Sequence, residues 1–282
     1  MQTVHRIAEL RPLVRDWRRS GARIALVPTM GALHEGHLHL VDAARAAADV
    51  VVMSIFVNPL QFGPSEDFER YPRDLEGDLR KAETRGVDAV FAPPAEEMYA
   101  HARTVIVAPV ALADRWEGAS RPGHFAGVLT VVAKLFNIVQ PDVAVFGQKD
   151  IQQAALIRAM VRDLDIPLTV LIEPTVRDTD GLALSSRNRY LSPEERRQAQ
   201  LLPRALHEMA DAYAGGEVRA LALVERGRAI LATAPLVRVE YLAAVDPDRL
   251  EPVTFVEEGT ILAVAARVGA TRLIDNVIVG AS

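Results

Sequence analysis

Two histidines, flanked by glycines, stand three residues apart in the segment PTMGALHEGH at residues 28–37. Residues 24–27 before it are all apolar, and residues 38–48 after it carry apolar side chains at helical spacing. The segment therefore joins a predicted strand to a predicted helix. Imidazole groups at such a turn can donate hydrogen bonds to phosphate oxygens whose charge grows in a transition state. The pattern favours His34 and His37 as donors to a phosphorylated ligand.

Three alternatives for PTMGALHEGH differ in how well they fit its residues. The spacing of Gly31 and Gly36 matches a phosphate-binding P-loop, but His37 stands where that motif has lysine, and Leu38 where it has serine or threonine. A zinc site is disfavoured because the chain has no H-E-x-x-H motif and because His37 and His39 diverge on a helix. The histidines could also be ordinary side chains at a turn, with no chemical role.

Two further polar segments follow apolar runs. In FVNPLQF, Asn58 and Gln61 lie among apolar side chains, a composition typical of a small pocket that binds hydroxyl groups. In FGQKDIQQ, Lys149 supplies a cation, Asp150 can accept a hydrogen bond from a ribose, and Gln153 lies one helical turn beyond Lys149. The simpler alternative for the first segment is a polar turn. The simpler alternative for the second is a helix cap, Asp150, beside a surface lysine.

The remaining candidates are one loop and two carboxylates. Ser185, Ser186 and Arg187 in LSSRN offer two hydroxyls and a guanidinium, groups that can close on a phosphate, although a serine-rich turn is an ordinary feature. Glu76 and Asp78 carry oxygen ligands of the kind that Mg²⁺ prefers. Their position in a charged helical stretch also fits a solvated face.

The order of strands and helices predicts a scaffold that brings these segments together. Apolar runs alternate with helical patterns, which predicts an α/β fold with a doubly wound, Rossmann-like parallel sheet. The first three polar segments then follow strands at one edge of the sheet, where ligands bind in this architecture. Strands are predicted at residues 24–27, 50–57, 87–91, 104–107, 142–146 and 168–172, and helices at about 38–48, 66–85, 125–139 and 151–164.

After about residue 175 the pattern changes to that of a smaller α+β domain. Ser192 and Glu195 have the parts of a capping box, and the helix they begin is predicted to run to Gly215. A second helix over residues 218–232 and several strands complete this part. We therefore predict two domains, residues 1–175 and residues 176–282, the second of which closes over the site.

Composition limits the classes of function. The 282 residues carry 32 basic and 37 acidic side chains, a net charge of −5, which disfavours nucleic acid as a partner. The absence of cysteine excludes disulfides and thiolate metal sites. The N-terminus, MQTVHRIAELRP, has charges where a secretion signal requires an apolar stretch, and no apolar run is long enough for a membrane span. A cytoplasmic enzyme with no membrane or nucleic-acid partner is expected.

Five motifs of the chain closely resemble, in the same order, those of the pantothenate synthetases, or pantoate–β-alanine ligases. They are PTMGALHEGH, FVNPLQFG, RPGHFAGV, FGQKDIQQ and SSRNRYLS. The resemblance covers nearly the whole chain and is densest over residues 23–192. This family belongs with the nucleotidyltransferases and class I synthetases. Residues 34–37 of this chain resemble the HIGH motif of those enzymes. The SSRN loop is similar to their second, mobile signature.

The resemblance implies ATP-dependent amide formation in two steps. The carboxylate of pantoate attacks the α-phosphate of ATP, which gives pantoyl adenylate and pyrophosphate, and β-alanine then displaces AMP. ATP as substrate, Mg²⁺ and a homodimer are also implied. Two alternatives are an adenylyl transferase that stops at a stable nucleotide adduct and a protein that binds nucleotide without catalysis.

The resemblance also implies roles for individual residues. His37, His34 and Lys149 are the implied catalytic residues, and Gln61, Gln153 and Asn58 the implied ligands of pantoate and β-alanine, while Asp78 is a candidate for the metal. The implied ATP-binding residues are Met30, Gly31, Ala32, Leu33, His34, Glu35, Gly36, His37, Gly147, Gln148, Lys149, Asp150, Val176, Leu184, Ser185, Ser186 and Arg187.

Overall fold

The structure, a computed structural model, describes residues 1–64, 66, 68–102 and 104–280. The chain divides into two compact units. The first comprises Met1–Gly147 and Gln152–Pro174, and the second comprises Gln148–Ile151 and Thr175–Ser282. The short segment that carries Lys149 thus groups with the C-terminal part of the chain.

The first unit contains six strands and seven α-helices among its described residues. The strands are β1 Gln2–Val4, β2 Ile24–Thr29, β3 Val50–Ile55, β4 Ala89–Phe91, β5 Val143–Gly147 and β6 Thr169–Glu173. The helices are α1 Ile7–Arg19, α2 Glu35–Ala47, α3 Leu75–Thr84, α4 Ala95–Met98, α5 Glu117–Ser120, α6 His124–Val139 and α7 Ile151–Asp163.

The six strands form one parallel sheet in the order β1-β4-β3-β2-β5-β6. Strand β2 pairs with β3 from Ile24 opposite Val50 to Thr29 opposite Ile55, and pairs with β5 on its other side. Strands β3 and β4 extend the sheet on one side of β2, and β5 and β6 extend it on the other. The direction of winding thus reverses between β2 and β5, and ligands bind beyond the carboxyl ends of the strands at such a point.

Alternate side chains of the central strands enter two separate cores. In β2, Ile24 and Leu26 pack with α1, α6 and α7 on one face, while Ala25 and Val27 pack with α2 on the other. Successive strand residues point to opposite faces, so both faces must be covered to bury these apolar runs. The predicted doubly wound parallel sheet is confirmed.

The second unit is the predicted smaller α+β part. Its apolar core includes Leu206 and Met209 of one helix and Leu262 and Val264 of a strand. The elements are α8 Pro193–Ala199, α9 Leu201–Ala214, α10 Ala220–Leu231, β7 Val237–Val245, β8 Ile261–Val268 and β9 Thr271–Ile278. The three strands form an antiparallel sheet in the order β7-β8-β9.

Three predicted elements differ from the structure. Residues 104–107 are not a strand, because the backbone of Val107 exchanges hydrogen bonds with the Thr130 hydroxyl of α6 instead of a neighbouring strand. The helix predicted from residue 66 begins only at Leu75, and residue 67 of the predicted range lies outside the described residues. Asp74 caps the helix by accepting the N–H of Gly77. The helix predicted from Ser192 is two helices, α8 and α9.

The described residues include no helix that is long and apolar enough to cross a membrane. Strand β1 and helix α1, at the start of the chain, were not predicted; Pro12 lies inside α1 and weakens the helical signal of that segment.

Candidate active site

The turn after β2 requires an unusual backbone. Gly31 has a φ of +82° and Ala32 a φ of +51°, both in the left-handed region, and His34 is the N-cap of α2. A Cβ atom at Gly31 would lie 2.8 Å from Oδ2 of Asp78 and 3.1 Å from Cγ2 of Ile55. Glycine is therefore needed here both for the conformation and for the close approach of Asp78.

Asp78 of α3 holds this turn through the backbone. Its carboxylate accepts the N–H of Ala32 at 2.8 Å and the N–H of Leu33 at 2.7 Å, and the ammonium of Lys81 donates to the carbonyl of Leu33 at 2.7 Å. Asp78 is only 2% exposed. Burial raises the pKa of the Asp78 carboxyl, although the two N–H groups and Lys81 oppose the shift. Helix α3 thus fixes the residues that lead into His34.

The structure brings His34 and His37 together and separates them from His39. The first two rings lie with their centroids 4.1 Å apart, and the N–H of His34 donates to Nδ1 of His37 over 3.4 Å. Because Nδ1 of His37 accepts, its neutral ring carries the hydrogen on Nε2, where it can donate to a ligand. His39 is exposed, with its Nε2 3.6 Å from Oε2 of Glu173.

Asn58 and Gln61 form a prepositioned amide pair beyond β3. Asn58 is 1% exposed and Gln61 8%. The Asn58 amide donates to Oε1 of Gln61 and to the carbonyl of Gly127, both at 3.1 Å, and its Oδ1 accepts the hydroxyl of Tyr99 at 2.8 Å. Nε2 of Gln61 donates to the sulfur of Met30 at 3.0 Å. The predicted acid-binding side chain therefore contacts the first residue of the predicted ATP-binding turn.

Arg121 and His124, from the RPGHFAG segment, hold the backbone of Gln61 in place through its carbonyl. Arg121 pairs with both carboxylate oxygens of Glu66 at 2.8 and 2.6 Å and donates to the Gln61 carbonyl at 3.2 Å. It also contacts Nε2 of His124 at 2.9 Å, and since a guanidinium only donates, Nδ1 of His124 donates to the Gln61 carbonyl at 2.7 Å. Burial alone raises the pKa of Glu66, but the hydrogen bonds and charge of Arg121 outweigh it and lower that pKa.

Two adjacent glutamines in α7 have different surroundings. Gln152 is 5% exposed, accepts the N–H of Glu117 at 2.9 Å and donates to the carbonyls of Leu112 at 2.7 Å and Arg115 at 3.0 Å. Gln152 therefore holds the segment before α6. Gln153, the predicted pantoate ligand, is half-buried in the same helix, and its role stays a prediction.

Five of the nucleotide-binding residues predicted in the second unit, Val176 and residues 184–187, lie on a short hairpin and the turn after it. The N–H of Leu184 donates to the carbonyl of Val176 at 3.0 Å, so these two predicted ligands are neighbours. Ser185 caps the following 3₁₀ turn, Ser186–Tyr190, by accepting the N–H of Arg187 at 3.3 Å. This local structure places Ser185, Ser186 and Arg187 in one compact turn.

The acidic residues of α3 do not fit a magnesium site. The described residues include no group of three or more histidine, aspartate or glutamate side chains that could hold a metal ion. Both oxygens of Asp78 accept backbone hydrogen bonds within the buried turn, and the side chain of Glu76 is 90% exposed. Asp78, the candidate metal ligand, therefore has structural partners in the turn, and a metal role for it stays a prediction.

The predicted site residues fall into two groups. The first unit carries Met30, Gly31, Ala32, Leu33, His34, Glu35, Gly36, His37, Asn58, Gln61, Gly147 and Gln153. The second unit carries Gln148, Lys149, Asp150, Val176, Leu184, Ser185, Ser186 and Arg187. Asp78, Lys81, Arg121 and His124 were not predicted to hold the site, and only the RPGHFAG segment carried a sequence signal for the last two.

Comparisons with known proteins identify the family of the chain. A family model described as pantoate–β-alanine ligase matches residues 2–278. The chain is 55% identical to the pantothenate synthetase of Acidobacterium capsulatum, over 99% of this chain and 97% of that protein. A crystal structure of pantothenate synthetase from Thermus thermophilus superposes with a TM-score of 0.94 at 49% identity, covering 99% of both chains.

A further solved structure is that of the pantoate–β-alanine ligase of Francisella tularensis, described as complexed with β-γ ATP and β-alanine. It has a TM-score of 0.82 at 30% identity and covers 100% of this chain and 99% of that one. The family match over nearly the whole chain, together with these identities, confirms the resemblance of the five motifs. The chain therefore belongs to the pantoate–β-alanine ligase family.

Proposed function

We propose that this protein condenses pantoate with β-alanine at the expense of ATP, through an enzyme-bound pantoyl adenylate. A carboxylate is a poor acylating agent, and its mixed anhydride with AMP is a good one. In the first step a carboxylate oxygen of pantoate bonds to the α-phosphorus of ATP and pyrophosphate leaves. In the second, the amine of β-alanine attacks the acyl carbon, AMP leaves with that oxygen, and the nitrogen loses its surplus protons.

The observation that carries this proposal is the contact between Gln61 and Met30 at 3.0 Å. Adenylation requires the acid and the triphosphate to lie side by side, because the reacting atoms must approach to about 3–3.5 Å. Gln61 and Asn58, both buried and already hydrogen-bonded, orient the hydroxyl groups of pantoate, with Gln153 as a third ligand. The turn that begins at Met30 receives the phosphates beside them.

His34 and His37 donate hydrogen bonds to the phosphate oxygens. Because Nδ1 of His37 accepts from His34, His37 donates to the phosphate through its Nε2–H in this proposal. Charge builds on the α-phosphate as the pantoate oxygen attacks, and donors already in place stabilise it without reorganisation. Asp78 accepts a backbone N–H of the turn and Lys81 donates to a carbonyl of the turn, and these bonds hold the two imidazoles in position.

The second unit supplies the remaining nucleotide contacts in this proposal. Lys149 and Arg187 place positive charge on the phosphates, Val176 meets the adenine, and Ser185 and Ser186 donate from their hydroxyls. Residues 176–282 act as a domain that closes over the bound nucleotide. Mg²⁺ bound to ATP would neutralise charge on its phosphates. The homodimer that the resemblance implies and the cytoplasmic location expected from the sequence stay predictions.

Isotope exchange tests the proposal. With labelled pyrophosphate, ATP and pantoate but no β-alanine, we expect label to enter ATP, because adenylate formation is reversible. AMP and pantothenate should form in equal amounts only when β-alanine is added. A stable nucleotide adduct that does not react with the amine would instead indicate an adenylyl transferase, and ATP binding without exchange would indicate a protein with no catalytic role.

A further inference from the structure

The carbonyls of two consecutive residues, Gln148 and Lys149, accept hydrogen bonds from one buried side chain of the second unit. The amide of Asn276 in β9 donates one hydrogen bond to each carbonyl, both at 3.0 Å, and its Oδ1 accepts the amide of Gln148 at 3.0 Å. Asn276 is 1% exposed. These bonds use both hydrogens of the amide and its oxygen, so the side-chain orientation is determined.

Asn276 is itself held by its neighbour. Asp275, 3% exposed, accepts the N–H of Asn276 at 2.8 Å and pairs with both terminal nitrogens of Arg177 at 2.7 and 3.0 Å. Arg177 also donates to the carbonyl of Gly181 in the hairpin that leads to Leu184. One continuous network therefore joins the backbone of Lys149 to the segment that carries the predicted nucleotide ligands.

The side chain of Lys149 has no such fixation. Among the residues that the structure describes, no hydrogen bond or ion pair holds its ammonium group, and the side chain is half-buried. A lysine has four rotatable side-chain bonds, so the position of its ammonium depends on how firmly its backbone is held. The anchored peptide units at residues 148 and 149 supply that restraint.

We propose that Asn276 is a positioning residue for Lys149, which aims the ammonium at the phosphates of ATP without touching substrate. This inference rests on the proposed function, in which Lys149 stabilises phosphate charge. Displacement of a catalytic group by about 1 Å can cost roughly 10²-fold in rate. Loss of the two donors of Asn276 leaves both carbonyls without their partner and frees the Lys149 backbone.

A double-mutant cycle tests this role. We expect Asn276→Ala to lower kcat by roughly 10- to 100-fold with little change in the KM for pantoate. In a Lys149→Ala background the same substitution should change kcat by less than about twofold, because residues that act through one another are not additive. The matched control is Glu240→Gln on β7 of the same sheet, whose carboxylate pairs with Arg267 and Arg272. It should leave kcat unchanged in both backgrounds.

A second readout does not depend on turnover. Modification of Lys149 by an amine-reactive reagent, followed by peptide mass spectrometry, should be slowed by ATP in the wild type and much less in Asn276→Ala. If Asn276→Ala does not fold, Asn276→Ser, which keeps one donor, takes its place in both experiments.

Any of three results would overturn the inference. Asn276→Ala could lower kcat equally in the wild-type and Lys149→Ala backgrounds, it could leave kcat unchanged, or ATP could protect Lys149 in this variant as well as in the wild type. Failure of the wild type to form pantothenate would refute the proposed function itself, so the two failures are distinguishable.

Discussion

The carboxylate of Asp78 accepts the backbone N–H of Leu33 at 2.7 Å, one residue before His34. This bond joins the first turn of α3 to the turn that carries both histidines. Glycine at position 31 allows the approach, and burial of the carboxylate strengthens the interaction. The positions of His34 and His37 therefore depend on a residue that lies 45 positions beyond Leu33 in the sequence.

Asp78→Asn should loosen this turn. An amide can accept only through its oxygen, so one of the two backbone N–H groups faces an NH₂ group and loses its partner. A buried donor left unsatisfied costs about 1–3 kcal/mol in the free energy of unfolding. We expect the melting temperature to fall by several degrees, measured by calorimetry, and kcat to fall by at least about 10-fold.

The control for this change is Glu76→Gln, in the same turn of α3 but with its side chain 90% exposed, which should alter neither quantity. An unchanged melting temperature in Asp78→Asn, combined with a strongly raised requirement for Mg²⁺, would show that Asp78 is a metal ligand after all.

His37→Ala should lower kcat by roughly 10² to 10³-fold, the scale of a lost donor to developing charge. His39→Ala is the matched control, because His39 lies on the same helix and pairs with Glu173 away from the turn. It should keep kcat within about twofold of the wild type. Steady-state assays of both variants at saturating ATP measure this difference in kcat. Wild-type turnover in a folded His37→Ala variant would show that His37 has no role in the reaction.

The neighbouring glutamines of α7 should give opposite phenotypes. Gln153→Ala should raise the KM for pantoate about 10-fold, the equivalent of one hydrogen bond of about 1.4 kcal/mol, and leave the melting temperature unchanged. Gln152→Ala removes three hydrogen bonds inside the first unit and should lower the melting temperature. A raised KM in Gln152→Ala and a lowered melting temperature in Gln153→Ala would show instead that Gln152 binds pantoate and Gln153 is structural.

The ion pair of Glu66 with Arg121 should make stability depend on pH. Because the pKa of Glu66 is lowered from 4.5, its carboxylate favours folding above about that pH, and the contribution is lost as the pH falls through the lower folded value. The difference in melting temperature between the wild type and Glu66→Gln should therefore be largest near neutral pH and shrink below about pH 4.5. A difference that stays constant down to about pH 3 would contradict this.

The sequence predicted the parts of the fold and site whose signals are local. The alternating cores of β2 and β3 follow from continuous apolar runs, and His34, His37, Asn58 and Gln61 stand in short polar segments after those runs. The roles of the side chains that hold these residues were missed. Asp78 contacts Ala32 across 46 positions, and Asn276 contacts Lys149 across 127. Nothing in a single sequence distinguishes such a buried carboxylate from a solvated one.

Misplaced elements have equally specific causes. Residues 104–107 have a strand-like composition, yet the hydroxyl of Thr130 satisfies the backbone of Val107. The helix predicted from Ser192 is interrupted between α8 and α9, where Pro203 in the first turn of α9 lacks the N–H that would continue the first helix. Both outcomes depend on one side chain at one position, which averaged patterns do not resolve.

Oxygen transfer from pantoate to AMP tests the central claim most directly. The protein is incubated with ATP, Mg²⁺, β-alanine and pantoate whose carboxylate carries ¹⁸O, and AMP is analysed by mass spectrometry. A carboxylate that attacks the α-phosphorus leaves one of its own oxygens on the phosphate when the amine displaces AMP. We expect one ¹⁸O atom in each AMP formed, whereas unlabelled AMP alongside labelled pantothenate would contradict the acyl adenylate.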